Sequence, residues 1–263
     1  MSNYKFDQFY YSNDKDVHPL CDISDLSDAK YAMDYADKIY CPLCHIPKLA
    51  RVNKNGKVFL RAYPKQHHGE IDGEICMYEH DTAPQKAVTT HIENLHDQRR
   101  LQQSLETVIR MMLRKPGNTG SPLPVTTVTN SNPLVIHRNR GQENITEVIP
   151  HYSILNWGPN IPQDQLLVAY AKRIYIYVYT PPKSFNVSGG NEQSEEKATA
   201  TYWRFYKNDK MKGILSSMRK PDKIDIESGY YCFAAAGYCV ANKNYYNFRP
   251  YSWYDNIYIA PAK

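Results

Sequence analysis

The residues of this 263-residue sequence whose types and spacing best support a defined chemistry are three cysteines. Cys41 and Cys44 flank the dipeptide Pro-Leu, and Cys76 follows further along the chain. A Cys-x2-Cys turn directs two sulfur atoms to one point, where two more Cys or His ligands complete a tetrahedral zinc site. The spacing therefore predicts a Zn²⁺ site with Cys41, Cys44 and Cys76 as three of its four ligands.

The fourth ligand is expected to be a histidine, for which several candidates remain. His68 ranks first because it follows the second strand of a predicted hairpin. His80, separated from Cys76 by three residues, ranks second, and His67 third. Weaker candidates by position are His45, His91 and His96. A redox-active cysteine pair and ordinary buried thiols are the alternative interpretations.

The residues around this cluster do not indicate zinc-dependent catalysis. Catalytic zinc keeps one coordination position open and usually has a general base nearby. The His-x-Glu that precedes Pro-Cys-x2-Cys in zinc deaminases is absent. The sequence also contains no nucleophile elbow, phosphate-binding loop or dinucleotide fingerprint. We therefore expect structural zinc, which folds a segment too small to hold its own core.

A helix and a hairpin are predicted to position these ligands. Asp25 or Ser27 caps a short helix over residues 29–36 that leads to the first cysteine pair. Residues 48–52 and 57–63 resemble strands, and the intervening Asn-Lys-Asn-Gly favours a turn. Two ligands before a hairpin and two after it form the layout of a zinc ribbon.

A long helix is predicted over residues 84–114. Its apolar side chains recur at helical spacing, while its arginines lie largely off that stripe. We interpret the stripe as core rather than as a groove for a partner helix. The stripe consists of Leu101, Leu105, Val108, Ile109 and Met112.

The ribbon region is similar to that of a known family. The sequence joins Cys41-Pro-Leu-Cys44, a basic hairpin (Lys48, Arg51, Lys54, Lys57), Phe59-Leu-Arg61 and His68-x7-Cys76. This arrangement resembles the zinc ribbon that opens competence-protein CoiA-like sequences, over about 40 residues. The resemblance implies a DNA-associated setting. The Asp…Glu-x-Lys nuclease core of that family is not found. The segment Lys223-Ile-Asp-Ile-Glu227 superficially resembles it, but its carboxylates follow the lysine, which is the wrong order.

From about residue 145 the sequence is rich in strand patterns. Residues 166–170 lead into 173–179, where Ile and Val alternate with Tyr, and residues 198–206 alternate similarly. Further strands are predicted at 223–226, 230–236, 238–241, 245–248 and 256–260, with a helix at 211–219. Five or six short strands with one helix between strand groups favour an antiparallel β-barrel of the OB type, or a sandwich.

One face of this predicted sheet carries tyrosine and arginine. Such a face stacks unpaired bases at ~1–3 kcal/mol each, while cations follow the phosphates. Core or rim packing of the tyrosines, and carbohydrate binding, are the alternative interpretations. The candidate nucleic-acid contacts are Tyr175, Tyr177, Tyr179, Tyr202, Arg204, Tyr206 and Arg249.

Charge and composition are compatible with this interpretation but do not require it. Residues 1–40 contain eight Asp and four Lys and so carry −4, which leaves +9 on the remainder of a chain whose net charge is +5. No apolar run approaches the ~18 residues of a membrane span, and the N-terminal residues do not resemble a signal peptide. We therefore expect a cytoplasmic protein with reduced cysteines.

These patterns together predict an α+β protein with four regions. The regions are an acidic leader with a short helix (1–40), a zinc ribbon plus helix (41–115), a linker or extended segment (116–144) and an antiparallel β-barrel or sandwich (145–263). The predicted function is nucleic-acid binding, with a preference for single strands. The alternatives are a protein-interaction module of the phage-defence or counter-defence type and a divergent metal-dependent nuclease.

Overall fold

The computed structural model describes residues 6–71, 74–113, 132–157, 161–180, 201–211, 213–241, 246–251 and 256–262. Strands predominate in these ranges. The strands are β1 (Gln8–Tyr11), β2 (Asp16–Pro19), β3 (Ile39–Tyr40), β4 (Leu49–Lys54), β5 (Lys57–Ala62), β6 (Glu70–Ile71), β7 (Glu74–Ile75), β8 (Asp81–Thr82), β9 (Val135–Arg140), β10 (Glu143–Val148), β11 (His151–Ser153), β12 (Leu166–Tyr179), β13 (Tyr202–Tyr206), β14 (Ser216–Arg219), β15 (Gly229–Ala241), β16 (Tyr246–Pro250) and β17 (Ile257–Pro261). The helices are α1 (Cys21–Ser24), α2 (Asp28–Asp34), α3 (Gln85–Asp97) and α4 (Leu101–Leu113), with short 3-10 helices at Met77–Glu79 and Ile154–Asn156. None of the helices in the described ranges has the length and apolarity needed to cross a membrane.

The described part of the acidic leader packs into the main core. Strand β1 lies between β2 and β3 in a three-stranded sheet, and Phe9, Ile23 and Ile39 are fully buried. The Ser27 side chain accepts a hydrogen bond from the N–H of Lys30 (3.3 Å), so one of the two predicted caps begins α2. The leader therefore contributes side chains to the same core as the ribbon region.

The predicted hairpin is confirmed as β4 and β5. These strands pair from Leu49 opposite Ala62 to Lys54 opposite Lys57. The two turn residues, Asn55 and Gly56, have φ angles of 54° and 73°. Asn and Gly adopt this left-handed conformation most readily, so the turn follows from local chemistry.

The prediction of a single long helix over residues 84–114 is wrong in one respect, because this segment forms two helices, α3 and α4. Arg99, between them, has a φ of 55°, which ends the helical path. Leu101, Leu105, Val108 and Ile109 are buried, as the core interpretation of the stripe requires. Helix α4 packs on β15 and β17 and α3 packs on β12. The side chain of Met112 lies outside the described part of the chain.

A closed five-stranded β-barrel forms the C-terminal part. Its order is β12-β13-β14-β16-β15, and β15 pairs back onto β12. Four of these contacts are antiparallel, and the contact between β14 and β16 is parallel. Trp203, Phe205 and Phe233 fill the interior without exposure to solvent. Gly237 is required where β15 meets β16, since a Cβ there would lie 2.4 Å from the carbonyl oxygen of Arg249.

Strand β12 is buried on both faces over its first half, which explains its continuous apolar run. Leu167 and Ala169 point into the barrel, whereas Leu166, Val168 and Tyr170 pack against the N-terminal layer. A register shift between Ala171 and Ile174 interrupts the pairing with β15. The strands predicted at 166–170 and 173–179 are therefore one bulged strand.

Two local predictions in the barrel region are wrong. The helix predicted over residues 211–219 is not formed, because Ser216–Arg219 is β14 and pairs with both β13 and β16. Residues 223–226 form no strand, and Ile224 and Ile226 instead pack on the barrel core. Pairing and packing with distant strands outweigh the local pattern in both segments.

Part of the predicted linker is folded. Strands β9 and β10, which begin within 116–144, form a hairpin, and β10 also pairs in parallel with β8. Residues 114–131, which include most of the predicted linker, lie outside the described ranges, as do residues 181–200 between β12 and β13. The boundaries of the four predicted regions remain predictions.

Candidate metal centre and barrel surface

Cys41 and Cys44 lie in the loop between β3 and β4. The backbone N–H of Cys41 donates to the carbonyl oxygen of Pro47 (2.9 Å), and that of His45 donates to the carbonyl oxygen of Cys41 (3.2 Å). His45 has a φ of 54°, so the chain turns sharply after the second cysteine. The loop thus holds both sulfur atoms on the same side.

His68 and Cys76 approach from the segment after the hairpin. The backbone N–H of His68 donates to a carboxylate oxygen of Glu79 (3.1 Å), and the N–H of Cys76 donates to the carbonyl oxygen of Gly69 (3.0 Å). Cys76 directly precedes the 3-10 helix at Met77–Glu79. These backbone contacts fold the segment back on itself, so that His68 and Cys76 face the loop between β3 and β4.

The four side chains predicted as metal ligands form one cluster. The ligand atoms of Cys41, Cys44, His68 and Cys76 all lie within 4.8 Å of one another. The sulfur atoms of Cys41 and Cys76 are 3.8 Å apart, and Cys44 Sγ lies 3.3 Å from His68 Nδ1. Tetrahedral zinc with ordinary bond lengths requires about 3.8 Å between two sulfurs and about 3.6 Å between sulfur and nitrogen. The donor set and its spacing therefore fit a four-coordinate metal ion.

The thiols of this cluster have strongly shifted pKa values. Hydrogen bonds with Cys41 and Cys76 lower the pKa of Cys44, and the His68 ring and the N–H of Ile46 add to this effect. Burial raises the pKa of Cys41. The hydrogen bond with Cys41 lowers the pKa of Cys76, but the hydrogen bond with Cys44 and burial together raise it to about 12. Cysteine binds metals as thiolate, so metal binding here would release protons.

The second- and third-ranked candidates for the fourth ligand lie elsewhere. The His67 side chain is 83% exposed, and its Nδ1 lies 3.2 Å from a Glu79 carboxylate oxygen. His80 lines a small cavity beside Tyr78 and His151. Within the described residues, His68 is the histidine that joins the three cysteines.

The leader and strand β11 both contact the metal-site segment. The ring of Phe6 stacks on His68 (5.8 Å between centroids, 18° between planes) and on Tyr78 (4.8 Å). Tyr78 is buried at 3% exposure and lies within hydrogen-bonding distance of His151 Nε2 (3.4 Å). The fourth ligand is therefore packed against residues of the leader that precede β1.

A buried polar network beside Phe6 was not predicted. Asp7 Oδ1 accepts a hydrogen bond from the Tyr170 hydroxyl (2.9 Å), and Oδ2 accepts one from the N–H of Ser153. Burial raises the pKa of Asp7 and lowers that of the neighbouring His151. Asp7 is one of eight aspartates in the leader, and no sequence pattern distinguishes it from the others.

Comparison with known proteins found no relative of this chain. No protein family, curated protein or solved structure matches this chain. The resemblance to CoiA-like zinc ribbons, and the DNA-associated setting that it implies, therefore remain predictions.

The predicted tyrosine face lies on the outside of β12 and β13. Tyr175, Tyr177 and Tyr179 are partly exposed, whereas Ile176 and Val178 between them pack on the barrel interior. In the cross-strand register, Tyr177 lies opposite Arg204 and Tyr179 lies opposite Tyr202. These five side chains therefore form one continuous surface, which we call the Tyr–Arg face.

One arginine of the Tyr–Arg face is held over an aromatic ring. The guanidinium of Arg204 lies 3.7 Å from the centre of the Tyr179 ring, and the rings of Tyr177 and Tyr179 are stacked with centroids 6.4 Å apart. Arg219 is exposed on β14 opposite Tyr202 and extends the Tyr–Arg face by one strand. The sequence analysis missed Arg219 because it placed residues 211–219 in a helix.

Two predicted contact residues are not part of the Tyr–Arg face. Tyr206 is only 5% exposed and therefore has no free ring surface for a base. Arg249 is exposed, but it lies on β16 with its guanidinium 5.1 Å from the Tyr238 ring. Its neighbours are thus on β15 rather than on β12 and β13.

The residues that resemble a nuclease core form no metal-binding cluster in the described structure. The Asp225 side chain is 93% exposed and contacts the ammonium of Lys220 at 2.7 Å. Asp225 and Glu227 lie in a segment without regular structure. Among the described residues, groups of three or more potential metal ligands are found only at the Cys/His cluster.

Proposed function

We propose that Cys41, Cys44, His68 and Cys76 bind one structural Zn²⁺. Three sulfurs and one imidazole nitrogen are donors that zinc prefers, and their spacing matches its tetrahedral geometry. Four protein ligands leave no position for a substrate. The ion would join the loop after β3 to the segment that carries β6 and β7, whose strands have only two residues each. Reduced thiols of this kind are suited to a reducing compartment such as the cytoplasm.

The second part of the proposal is that the barrel is OB-like and binds single-stranded nucleic acid. Counted within the barrel, the strands follow the order 1-2-3-5-4 and close back onto strand 1. OB barrels bind oligonucleotides or oligosaccharides on the face of strands 2 and 3. Those strands are β13 and β14 here, and they present Tyr202, Arg204 and Arg219 on the outside.

The observation that carries this proposal is the Tyr–Arg face itself. Its tyrosines are only partly covered, so their rings can stack on unpaired bases, at about 1–3 kcal/mol for each base. The guanidinium of Arg204 is already held over an aromatic ring, which reduces the entropy lost when it contacts a phosphate or a base. Arg204 and Arg219 favour a polyanion over a neutral sugar as the ligand.

Binding of a labelled oligothymidylate tests this function. Fluorescence anisotropy at about 50 mM salt would measure the affinity of the wild-type protein and of a variant with Tyr177→Ala and Arg204→Gln. Loss of one stacking ring predicts a 5- to 150-fold rise in Kd, from about 1–3 kcal/mol, with a further rise from the lost charge. Tyr258→Ala with Arg110→Gln is the matched control, because Arg110 on α4 and its neighbour Tyr258 on β17 are not part of the Tyr–Arg face.

The results separate the possibilities cleanly. The proposal predicts weaker binding by the Tyr177/Arg204 variant and wild-type binding by the Tyr258/Arg110 control. An undetectable affinity of the wild-type protein at low salt, or equal effects of the two variants, would refute nucleic-acid binding on this face.

A further inference from the structure

A cleft of about 800 Å³ lies along the hairpin β4–β5 next to the metal centre. We call it the hairpin groove. Lys54, Lys57, Phe59 and Arg61 line it on the hairpin side, and His68 and Glu79 line it on the metal side. One of the proposed zinc ligands is thus part of the wall of this groove.

The register of the hairpin places the basic residues of the groove on one face. Lys54 lies directly opposite Lys57, Val52 opposite Phe59, and Ala50 opposite Arg61. Directly opposed residues of an antiparallel pair point to the same side, and so do residues two apart in a strand. Two lysines, an aromatic ring and an arginine therefore follow one another from the tip of the hairpin to its base.

The cations of the two hairpin faces differ in their partners. On the core side of the hairpin, Arg51 binds Asp28 (2.5 Å). Lys48, which directly precedes β4, lies 3.6 Å from Asp37. In the described part of the chain, no carboxylate pairs with the side chains that line the groove: Lys54, Lys57 and Arg61.

The acidic residue of the groove does not neutralise these cations. Glu79 accepts a hydrogen bond from the N–H of His68 (3.1 Å), and its other oxygen lies 3.2 Å from His67 Nδ1. Two lysines directly opposite each other repel, which destabilises the hairpin unless an anion lies between them. The groove therefore has excess positive charge near the tip and near the base of the hairpin, with the Phe59 ring between them.

We propose that the hairpin groove binds a phosphodiester segment of the same single-stranded nucleic acid that contacts the Tyr–Arg face. Lys54, Lys57 and Arg61 contact phosphates, and Phe59 stacks on a base. This inference rests on the proposed function, and it adds a second contact site on a different part of the fold. Because His68 forms part of the groove wall, a metal ion held by Cys41, Cys44, His68 and Cys76 would fix that wall in place.

The salt dependence of binding tests the groove. Each phosphate contact to a single strand contributes about 0.7 to the slope of log K against log salt concentration. A variant with Lys54→Gln, Lys57→Gln and Arg61→Gln should therefore have a slope smaller in magnitude by about 2, and an affinity about 100-fold weaker at about 0.1 M salt. The probe is a labelled oligothymidylate of about 30 nucleotides, long enough to span more than one contact site.

A charge-matched variant provides the control. Lys15→Asn, Lys30→Gln and Lys86→Gln remove three exposed charges outside the groove, and asparagine tolerates the left-handed conformation of Lys15 (φ 59°). This control is expected to keep the wild-type slope, as is Arg61→Lys, which preserves the charge. Unchanged metal content and thermal unfolding of the groove variant would show that it is folded.

Each outcome decides a different claim. A reduced slope in the groove variant alone supports the inference. A slope equal to that of the control, while the Tyr177/Arg204 variant still binds weakly, overturns the groove and leaves the Tyr–Arg face intact. Absence of any binding by the wild-type protein overturns both.

Discussion

Asp7→Ala is expected to destabilise the protein by disconnecting the start of β1 from the barrel. Asp7 accepts hydrogen bonds from the Tyr170 hydroxyl and the Ser153 N–H, and both donors are buried. A buried donor left without an acceptor costs about 1–3 kcal/mol, so two of them cost about 2–6 kcal/mol. Removing the carboxylate also removes the cost of burying it, which offsets part of this loss. We therefore expect Asp7→Ala to lower the unfolding free energy by about 2–4 kcal/mol.

The loss should also depend on pH. Burial raises the pKa of Asp7 above its ordinary value of 3.8, so the folded protein binds this proton more tightly than the unfolded chain does. The stability contributed by Asp7 is then greatest below about pH 4, and it declines as pH rises through the folded-state pKa, by at most about 1.4 kcal/mol per pH unit. Loss of the Asp7 charge would lower the pKa of His151 further, which also destabilises the variant most at low pH.

Urea denaturation between about pH 4 and pH 7 measures both effects. The difference in unfolding free energy between wild type and Asp7→Ala should be largest at the acidic end and smaller at neutral pH. Asp209→Ala, at an exposed position, is the control and should stay within about 0.5 kcal/mol of wild type. If Asp7→Ala also stayed within that range at every pH, the role assigned to the buried carboxyl group would be refuted.

Three further substitutions test separate parts of the structure. His68→Ala should lose most of the bound metal, whereas His67→Ala should retain it, as measured by elemental analysis after dialysis; equal retention would exclude His68 as a ligand. Gly237→Ala should lower the unfolding free energy in urea denaturation by about 1–3 kcal/mol, because its Cβ would lie 2.4 Å from a carbonyl oxygen of β16. Gly229→Ala meets ordinary contacts at 3.4 Å and should change the unfolding free energy little. Leu105→Ala should lower the unfolding free energy by about 2–5 kcal/mol in the same assay, since the side chain is 2% exposed; a change below 1 kcal/mol would contradict its place in the core.

The hairpin and the cysteine cluster could be anticipated because they depend on short-range patterns. Asn55 and Gly56 favour the left-handed turn that the structure contains, and this turn sets the register of β4 and β5. Once the hairpin is formed, cysteines on either side of it must approach one another. Alternation of Tyr with Ile in β12 likewise indicated a strand with one face inside and one face outside.

Features that depend on distant contacts could not be anticipated in the same way. The break at Arg99 has no Gly or Pro to indicate it, and it lets α4 pack on the barrel. Residues Ser216–Arg219 are a strand because β13 and β16 pair with them. Asp7 is buried because it meets Tyr170, which lies 163 residues away in the sequence.

X-ray absorption at the zinc edge, on protein purified under reducing conditions, tests the central claim most directly. The proposed site predicts about one zinc ion per chain, with three sulfur ligands at about 2.3 Å and one nitrogen ligand at about 2.0–2.1 Å. Protein that is folded without zinc, or zinc surrounded by oxygen and nitrogen alone, would contradict a structural site formed by Cys41, Cys44, His68 and Cys76.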